Sequence, residues 1–450
     1  MKVAKFGGSS VANAEQLKKV ANIIQSDADR KIIVVSAPGK RNSDDIKVTD
    51  LLIDLGEAYR LGQSHEQELQ RVVDRFEAIL EELHLSKDVL HDIQTRVRKI
   101  FNDGNDLATK LDAIKAIGED SLAKILSEYL VSLGMHARYV NPKEAGLILS
   151  DQPGSAQILD ESFKLIHQLT KHDEIMVIPG FFGYTKEGKL VTFSRGGSDI
   201  TGSIVAAGVK ADLYENFTDV DSVYCVNPQI VKNPKEITSL TYKEMRELSY
   251  AGFSVFHAEA LIPAFKERIP VCIKNTNNPG AKGTMIVNEK AETNQAVVGI
   301  ASDTGFVSLY VSKYLMNREI GFGRRLLNIL EDEGISFEHT PSGIDDLSVI
   351  IRENQLTEEK EAIVINRINK ELKPDTVYID RRLALIMIVG EGMHSFVGTA
   401  AKATKAFEEA DVNLEMINQG SSEVSMMFGI KEEGVKRAVQ SLYRVFFEEN

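Results

Sequence analysis

A chain of 450 residues is too long for one ordinary domain and has the length for two or three, each able to bury a core. Its composition, 43% hydrophobic and 26% charged, is that of a soluble globular protein, and a net charge of -13 argues against broad nucleic-acid binding while leaving room for a local phosphate-binding patch. The apolar runs stop well short of the roughly 18 residues of a membrane-span candidate. Cys225 and Cys272 are the only cysteines and lie too far apart to suggest a metal-binding pair, so both are read as ordinary reduced thiols. The first residues read directly as a strand rather than as a basic and hydrophobic leader, and the expected location is the cytoplasm.

Lys5-Phe6-Gly7-Gly8-Ser9-Ser10 is a strand running into paired glycines and serines before a helical segment from about Ala14. Glycine permits close backbone approach, amides at such a turn can receive phosphate oxygens, and Lys5 supplies compact positive charge. Taken alone, these six residues fit a plain turn equally well. The lysine precedes the glycines, so this is not a Walker A loop, and the dinucleotide G-x-G-x-x-G spacing is missing. A buried strand follows from Lys31 to Ser36, giving the strand, helix, strand order of a parallel α/β sheet. Thr49 is first read as the cap of the next helix, with substrate contact as the alternative.

The span from about Ser64 to Leu133 reads as a charged, largely helical excursion over the sheet, in which Gly118-Glu119 interrupts the pattern as a helix boundary would. A second crossing from strand to helix comes at Ser194-Arg195-Gly196-Gly197-Ser198-Asp199. It adds a guanidinium able to fork onto a carboxylate or phosphate, and an acid that can orient a cation or pair with Arg195 structurally. Two such crossings favour an anionic ligand. Thr218, Asp219 and Asp221 follow a strand, Tyr224 can line a base or pack, a lone His257 is better read as packed than catalytic, and Lys274-Asn275-Thr276 ends another strand with a cation. From about Val297 onward a pattern recurs at an offset of seventy-seven residues, aligning Leu330 with Phe407, Gly343 with Gly420 and Ser348 with Ser425. Each repeat reads as strand, helix, strand, strand and helix, suited to assembly and regulation.

In combination these motifs, with Lys47-Val48-Thr49-Asp50 and Gly118-Glu119, occur in the order found in aspartate kinases, and the chain resembles the monofunctional lysine- or threonine-regulated type over almost its whole length. The resemblance implies an α/β, amino-acid-kinase-like three-layer sandwich with a mainly parallel central sheet over residues 1–295, followed by two ferredoxin-like ACT domains, 306–380 and 296–305 with 381–450. It implies transfer of the γ-phosphoryl group of ATP, with magnesium, to the side chain of L-aspartate. Lys5 and Asp199 then become the catalytic pair; Lys5, Gly7, Gly8, Ser9, Thr218, Asp219, Tyr224 and Lys274 the phosphate and ATP contacts; and Thr49, Glu119, Arg195 and Ser198 the aspartate site. No direct metal ligand is assigned, since magnesium is expected to be held mainly by the ATP phosphates.

Met316, Glu319, Phe322, Ser336, Phe337, Glu338 and Asp345 are effector candidates on the same grounds, with lysine placed before threonine, and the ACT domains imply a homo-oligomer. Neither nucleic acid nor membrane is an expected partner. Two positions depart from the family's usual pattern: Gln229 follows Asn227-Pro228 where an arginine is common, and Ala258 follows His257 where proline is common. A kinase for another amino acid such as glutamate, and a catalytically silent amino-acid sensor, are the alternatives.

Overall fold

A computed structural model describes residues 1–449 except 195, 254–257, 291–294 and 421–423. The chain divides into two compact units, residues 1–223 with 236–245 and 255–290, and residues 224–235 with 246–254 and 291–450.

The first unit is built on strands β1 (Lys2–Phe6), β2 (Arg30–Val35), β3 (Ala137–Tyr139), β4 (Ile175–Pro179), β5 (Leu213–Thr218), β6 (Ser239–Thr241), β7 (Val271–Asn275) and β8 (Thr284–Val287). They form one sheet in the order β6-β8-β7-β5-β1-β2-β4-β3, parallel except between β7 and β8. Strand alternation assigns the two faces. Ala4, Phe6, Ile33, Val35 and Phe217 join one core with α1 (Ala14–Gln25), α2 (Val48–Arg60), α3 (Glu66–Leu83), α4 (Asp88–Asn102) and α5 (Leu107–Ser132). The opposite face, which carries Lys5, is covered by α6 (Gly197–Val209). A buried bidentate pair ties β2 to β5 across β1: Arg30 Nε and Nη2 donate to Glu215 Oε2 and Oε1 at 2.6 and 3.0 Å.

Gly118 and Glu119 do not mark a helix boundary. They lie in the middle of α5, whose 26 residues run on through them. A Cβ on Gly118 would stand 2.7 Å from Ala37 Cβ and 3.2 Å from Leu52 Cδ1, so the glycine lets α5 pack closely, and that packing outweighs its helix penalty of about 1 kcal/mol. Thr49 is not a cap either. Lys47 holds the cap position of α2, and the Val48 amide is satisfied by the Pro38 carbonyl at 3.0 Å, which leaves Thr49 in the first turn.

In the second unit the repeat is visible residue by residue. β9 (Gly299–Ser312) and β11 (Thr376–Val389) are 14 residues each and stand seventy-seven residues apart, as do α7 (Phe322–Asp332) and α8 (Thr399–Glu409). Buried Leu326, Ile329 and Leu330 recur as Ala403, Ala406 and Phe407. The positive φ of Gly305, at an irregularity in the pairing of β9, recurs at Arg382 on β11. With β10 (Asp346–Arg352), β12 (Met416–Gln419) and β13 (Ser425–Lys431) the sheet runs β10-β9-β11-β13-β12. The repeats differ at one point: β12 has no strand as counterpart in the first repeat, where only the isolated bridges His339–Ile350 and Ser342–Leu347 form.

Candidate active site

Parallel strands gather their C-terminal ends on one side, where ligands of open α/β sheets bind. Lys5 comes from β1 on a largely apolar, buried face of the sheet, and it is 6% exposed. An ammonium so placed needs a partner, and Asp199 Oδ1 in the first turn of α6 stands 2.5 Å from its Nζ. The same oxygen accepts a hydrogen bond from Asn216 Nδ2 at 2.8 Å, and Asn216 sits level with Lys5 on the neighbouring β5. The Lys5–Asp199–Asn216 chain therefore draws on two adjacent strands and a helix start. Asn216 was not legible as a site residue, because its role depends on pairing register rather than on any local motif.

The glycine turn does two separate things. The Gly7 amide donates to the Phe217 carbonyl at 3.0 Å, so it holds β1 to β5 and is not available to phosphate in this structure, contrary to the sequence expectation. The amides of Gly8 and Ser9 have no partner among the described residues. Beside them passes the loop that follows β2: Gly39 N–H donates to the Gly8 carbonyl at 2.8 Å, and a Cβ on Gly39 would stand 2.5 Å from Gly8 C. Gly39 belongs to none of the motifs singled out in the sequence, yet it is the point of contact between the two loops.

The same loop carries Ala37, which packs on Gly118 and whose amide lies near enough to the Glu119 carboxyl to favour its charged form. Glu119 is 4% exposed and its Oε2 has no partner; burial pushes its pKa up to about 8, against the nearby Ala37 amide, which pulls it down. Ser198 lies one residue before Asp199 and packs so tightly on Gly180, after β4, that a Cβ there would be 2.7 Å from Ser198 Cβ. Arg195 lies outside the described residues, as does His257.

On the other side, the Thr218 carbonyl accepts from the Thr276 amide at 2.9 Å, Thr276 Oγ1 donates to Ser10 Oγ at 2.6 Å, and Asn275 Nδ2 donates to Asp221 Oδ1 at 2.7 Å. The loops after β1, β5 and β7 are thus joined. Thr218 Oγ1 donates to Asp219 Oδ1 at 3.2 Å. Lys274 is level with Phe217, on the opposite face of the sheet from Lys5 and Asn216. Tyr224 belongs to the second compact unit.

The seven effector candidates fall into two groups. Met316 and Phe322 are buried core residues, Glu319 is paired with Lys313 at 2.6 Å and with Arg325, and Asp345 Oδ1 accepts from the Leu315 amide at 2.8 Å. Those two cations hold the Glu319 carboxyl below its ordinary range. Ser336 instead donates to Gln355 Oε1 at 2.9 Å, exposed Phe337 follows, and Glu338 pairs with Arg352 at 3.4 Å and accepts from the Tyr250 hydroxyl. Asp346 and Arg352 are opposite ends of β10, so the groups are separated by a strand of about 20 Å.

The profile of the Amino acid kinase family matches residues 1–275, and that of the ACT domain matches residues 386–446. Aspartokinase 3 of Bacillus subtilis is 56% identical over 448 residues, covering 99% of both chains. The chain belongs to the aspartokinase family. It is an ATP-dependent aspartate kinase with ACT-type regulatory domains. Aspartokinase 1 of Arabidopsis thaliana, a chloroplastic relative, is 28% identical, with 99% of this chain and 80% of that one covered. The crystal structure of the Clostridium acetobutylicum aspartate kinase is similar at a TM-score of 0.89 and 39% identity, covering 99% of this chain and all of that one. The kinase and ACT folds expected of the aspartokinase family are both present, and no helix among the described residues is long and apolar enough to cross a membrane.

Proposed function

We propose that Lys5 stabilises the charge of the transferring phosphoryl group and that Asp199, backed by Asn216, aims it. The observation that carries this reading is the buried Lys5–Asp199–Asn216 chain beside the unpartnered Gly8 and Ser9 amides. The acceptor carboxylate of aspartate is already ionised at neutral pH, so no general base is needed. One of its oxygens forms a bond to the γ-phosphorus as the bond from that phosphorus to the bridging oxygen breaks, and ADP leaves with the electron pair. Both reactants are anionic, so the site's task is alignment and charge compensation.

Glu119 pairs with the α-ammonium of aspartate, a role supported by a buried carboxyl with one oxygen left without a partner. Arg195 takes the α-carboxylate, while Thr49 and Ser198 add hydrogen bonds; these three rest on the motif resemblance. Thr218, Asp219, Tyr224 and Lys274 serve the nucleotide on the same basis. Magnesium carried by the ATP phosphates would offset their negative charge, and the Asp219–Asp221 loop would supply the carboxylates able to bind its hydration shell.

The ACT unit is read as an amino-acid sensor and homo-oligomer contact with module boundaries near 305 and 380, where Gly305 and Arg382 take their positive φ. Lysine is the first effector candidate and threonine the second. The Clostridium relative is itself described as an allosteric enzyme. Initial rates of ADP release with aspartate and with glutamate, each with lysine and threonine added singly and together, test the reading. A glutamate preference would remove the substrate assignment, and indifference to both effectors would remove the regulatory one.

A further inference from the structure

Arg75 of α3 belongs to no motif and touches neither Lys5 nor Glu119, yet it is a 6% exposed guanidinium bonded to three separate stretches of loop. Its Nη2 donates to the carbonyls of Gly39 at 2.9 Å and Ala12 at 3.3 Å, and its Nη1 donates to the Ile46 carbonyl at 2.7 Å and Asp45 Oδ2 at 2.9 Å. Asp45 is in turn gripped by Arg41 through Nε at 2.8 Å and Nη2 at 3.0 Å.

We propose that Arg75 is a positioning residue for phosphoryl transfer, locking the loop after β2 against the glycine turn so that the phosphate side and the aspartate side of the site keep one spacing. The proposal rests on the roles given above to the Gly8 and Ser9 amides and to Glu119. Its geometry is direct. Gly39 is held from behind by the guanidinium through its carbonyl, and from the front it donates its N–H to Gly8. Ala12, at the end of the turn that Gly8 begins, is held by the same Nη2. Two residues back from Gly39, Ala37 packs on Gly118, next to Glu119, where a Cβ on the glycine would stand 2.7 Å from Ala37 Cβ. A displacement of this one loop therefore moves both halves of the site.

Stability alone is a poor reason for such a residue, since burying a guanidinium costs desolvation that apolar packing avoids. Only a planar fork with several fixed donors satisfies three carbonyls and a carboxylate together, and lysine, a point charge with three donors, does not reproduce it. Asp45 faces the guanidinium and is shared with Arg41, so one carboxylate serves two cations.

The test compares Arg75→Ala and Arg75→Lys with wild-type full-length enzyme. Misplacement on the scale of an ångström predicts a kcat lower by about 100-fold in Arg75→Ala and at least about tenfold in Arg75→Lys, with the folded fraction unchanged. Methylguanidinium at millimolar concentration should restore Arg75→Ala by about tenfold or more, where sodium chloride does not, because the small cation refills the fork's site. A general loss of fold would not respond in that way. Folded variants with wild-type kcat, or a loss in Arg75→Ala that methylguanidinium leaves untouched, would overturn the proposal. If Arg75→Ala does not fold, Arg75→Lys decides by its kcat per folded molecule. Lys5→Met assayed in parallel separates the two levels: an inactive Lys5→Met beside unaffected Arg75 variants sinks this inference alone, and an active Lys5→Met sinks the site reading beneath it.

Discussion

Replacing Glu119 by glutamine isolates the energetic consequence of burying a carboxyl without full satisfaction. The amide matches the carboxyl in size but never ionises. In the wild type, a folded pKa of about 8 against an ordinary 4.5 means that the folded chain keeps a proton that the unfolded chain releases. Stability is therefore unaffected below the ordinary value, falls as pH rises between the two, and carries the full cost above about 8. A shift of that size corresponds to an upper bound of about 5 kcal/mol, and relaxation around the carboxylate lowers the expectation to about 2–3 kcal/mol. Urea unfolding of both proteins at pH 5 and pH 9 should show Glu119→Gln gaining that much on the wild type at the higher pH and little at the lower. The same substitution should raise the aspartate KM by about 100-fold with little change for ATP, since a carboxylate bound to an ammonium is lost. Wild-type KM for aspartate should fall as pH rises toward 8, and the variant should lose that slope. Parallel stability profiles within about 0.5 kcal/mol, together with an unchanged aspartate KM, would refute the reasoning.

Lys5→Met should lower kcat by about 1,000-fold while leaving the far-ultraviolet circular dichroism unchanged, as expected for loss of a charge aimed at the transferring group. Gly39→Ala should cost about 2 kcal/mol in urea unfolding and lower kcat as well, because its Cβ would meet the Gly8 backbone, which has no side chain to swing aside. Glu215→Ala should cost about 3–5 kcal/mol, since it leaves Arg30 buried without its bidentate partner. A cost under about 1 kcal/mol would mean that Arg30 finds another acceptor.

Much of the candidate site was legible because the residues proposed for it are concentrated in short motifs. Lys5 with its glycines, and Ser198-Asp199 at the head of a helix, announce themselves by residue type at strand-to-helix crossings. The repeat was legible for a different reason: an offset of seventy-seven residues is a property of the sequence, and it persists in strand, helix and buried position alike. Glu119 was misplaced by context, since a glycine before it suggests a boundary until the packing of Ala37 and Leu52 against Gly118 is known.

What the sequence determined by itself was which segments cross from strand to helix, which charges they bring and that the last third is doubled. All of these depend on local spacing and composition. The tertiary structure decided which of those charges meet. Asn216 reaches Asp199 only because β5 lies beside β1 in register, Gly7 serves the sheet because its amide faces Phe217, and Arg75 reaches Gly39 from thirty-six residues away. Such contacts are set by strand order and helix packing, and no window of sequence contains both partners.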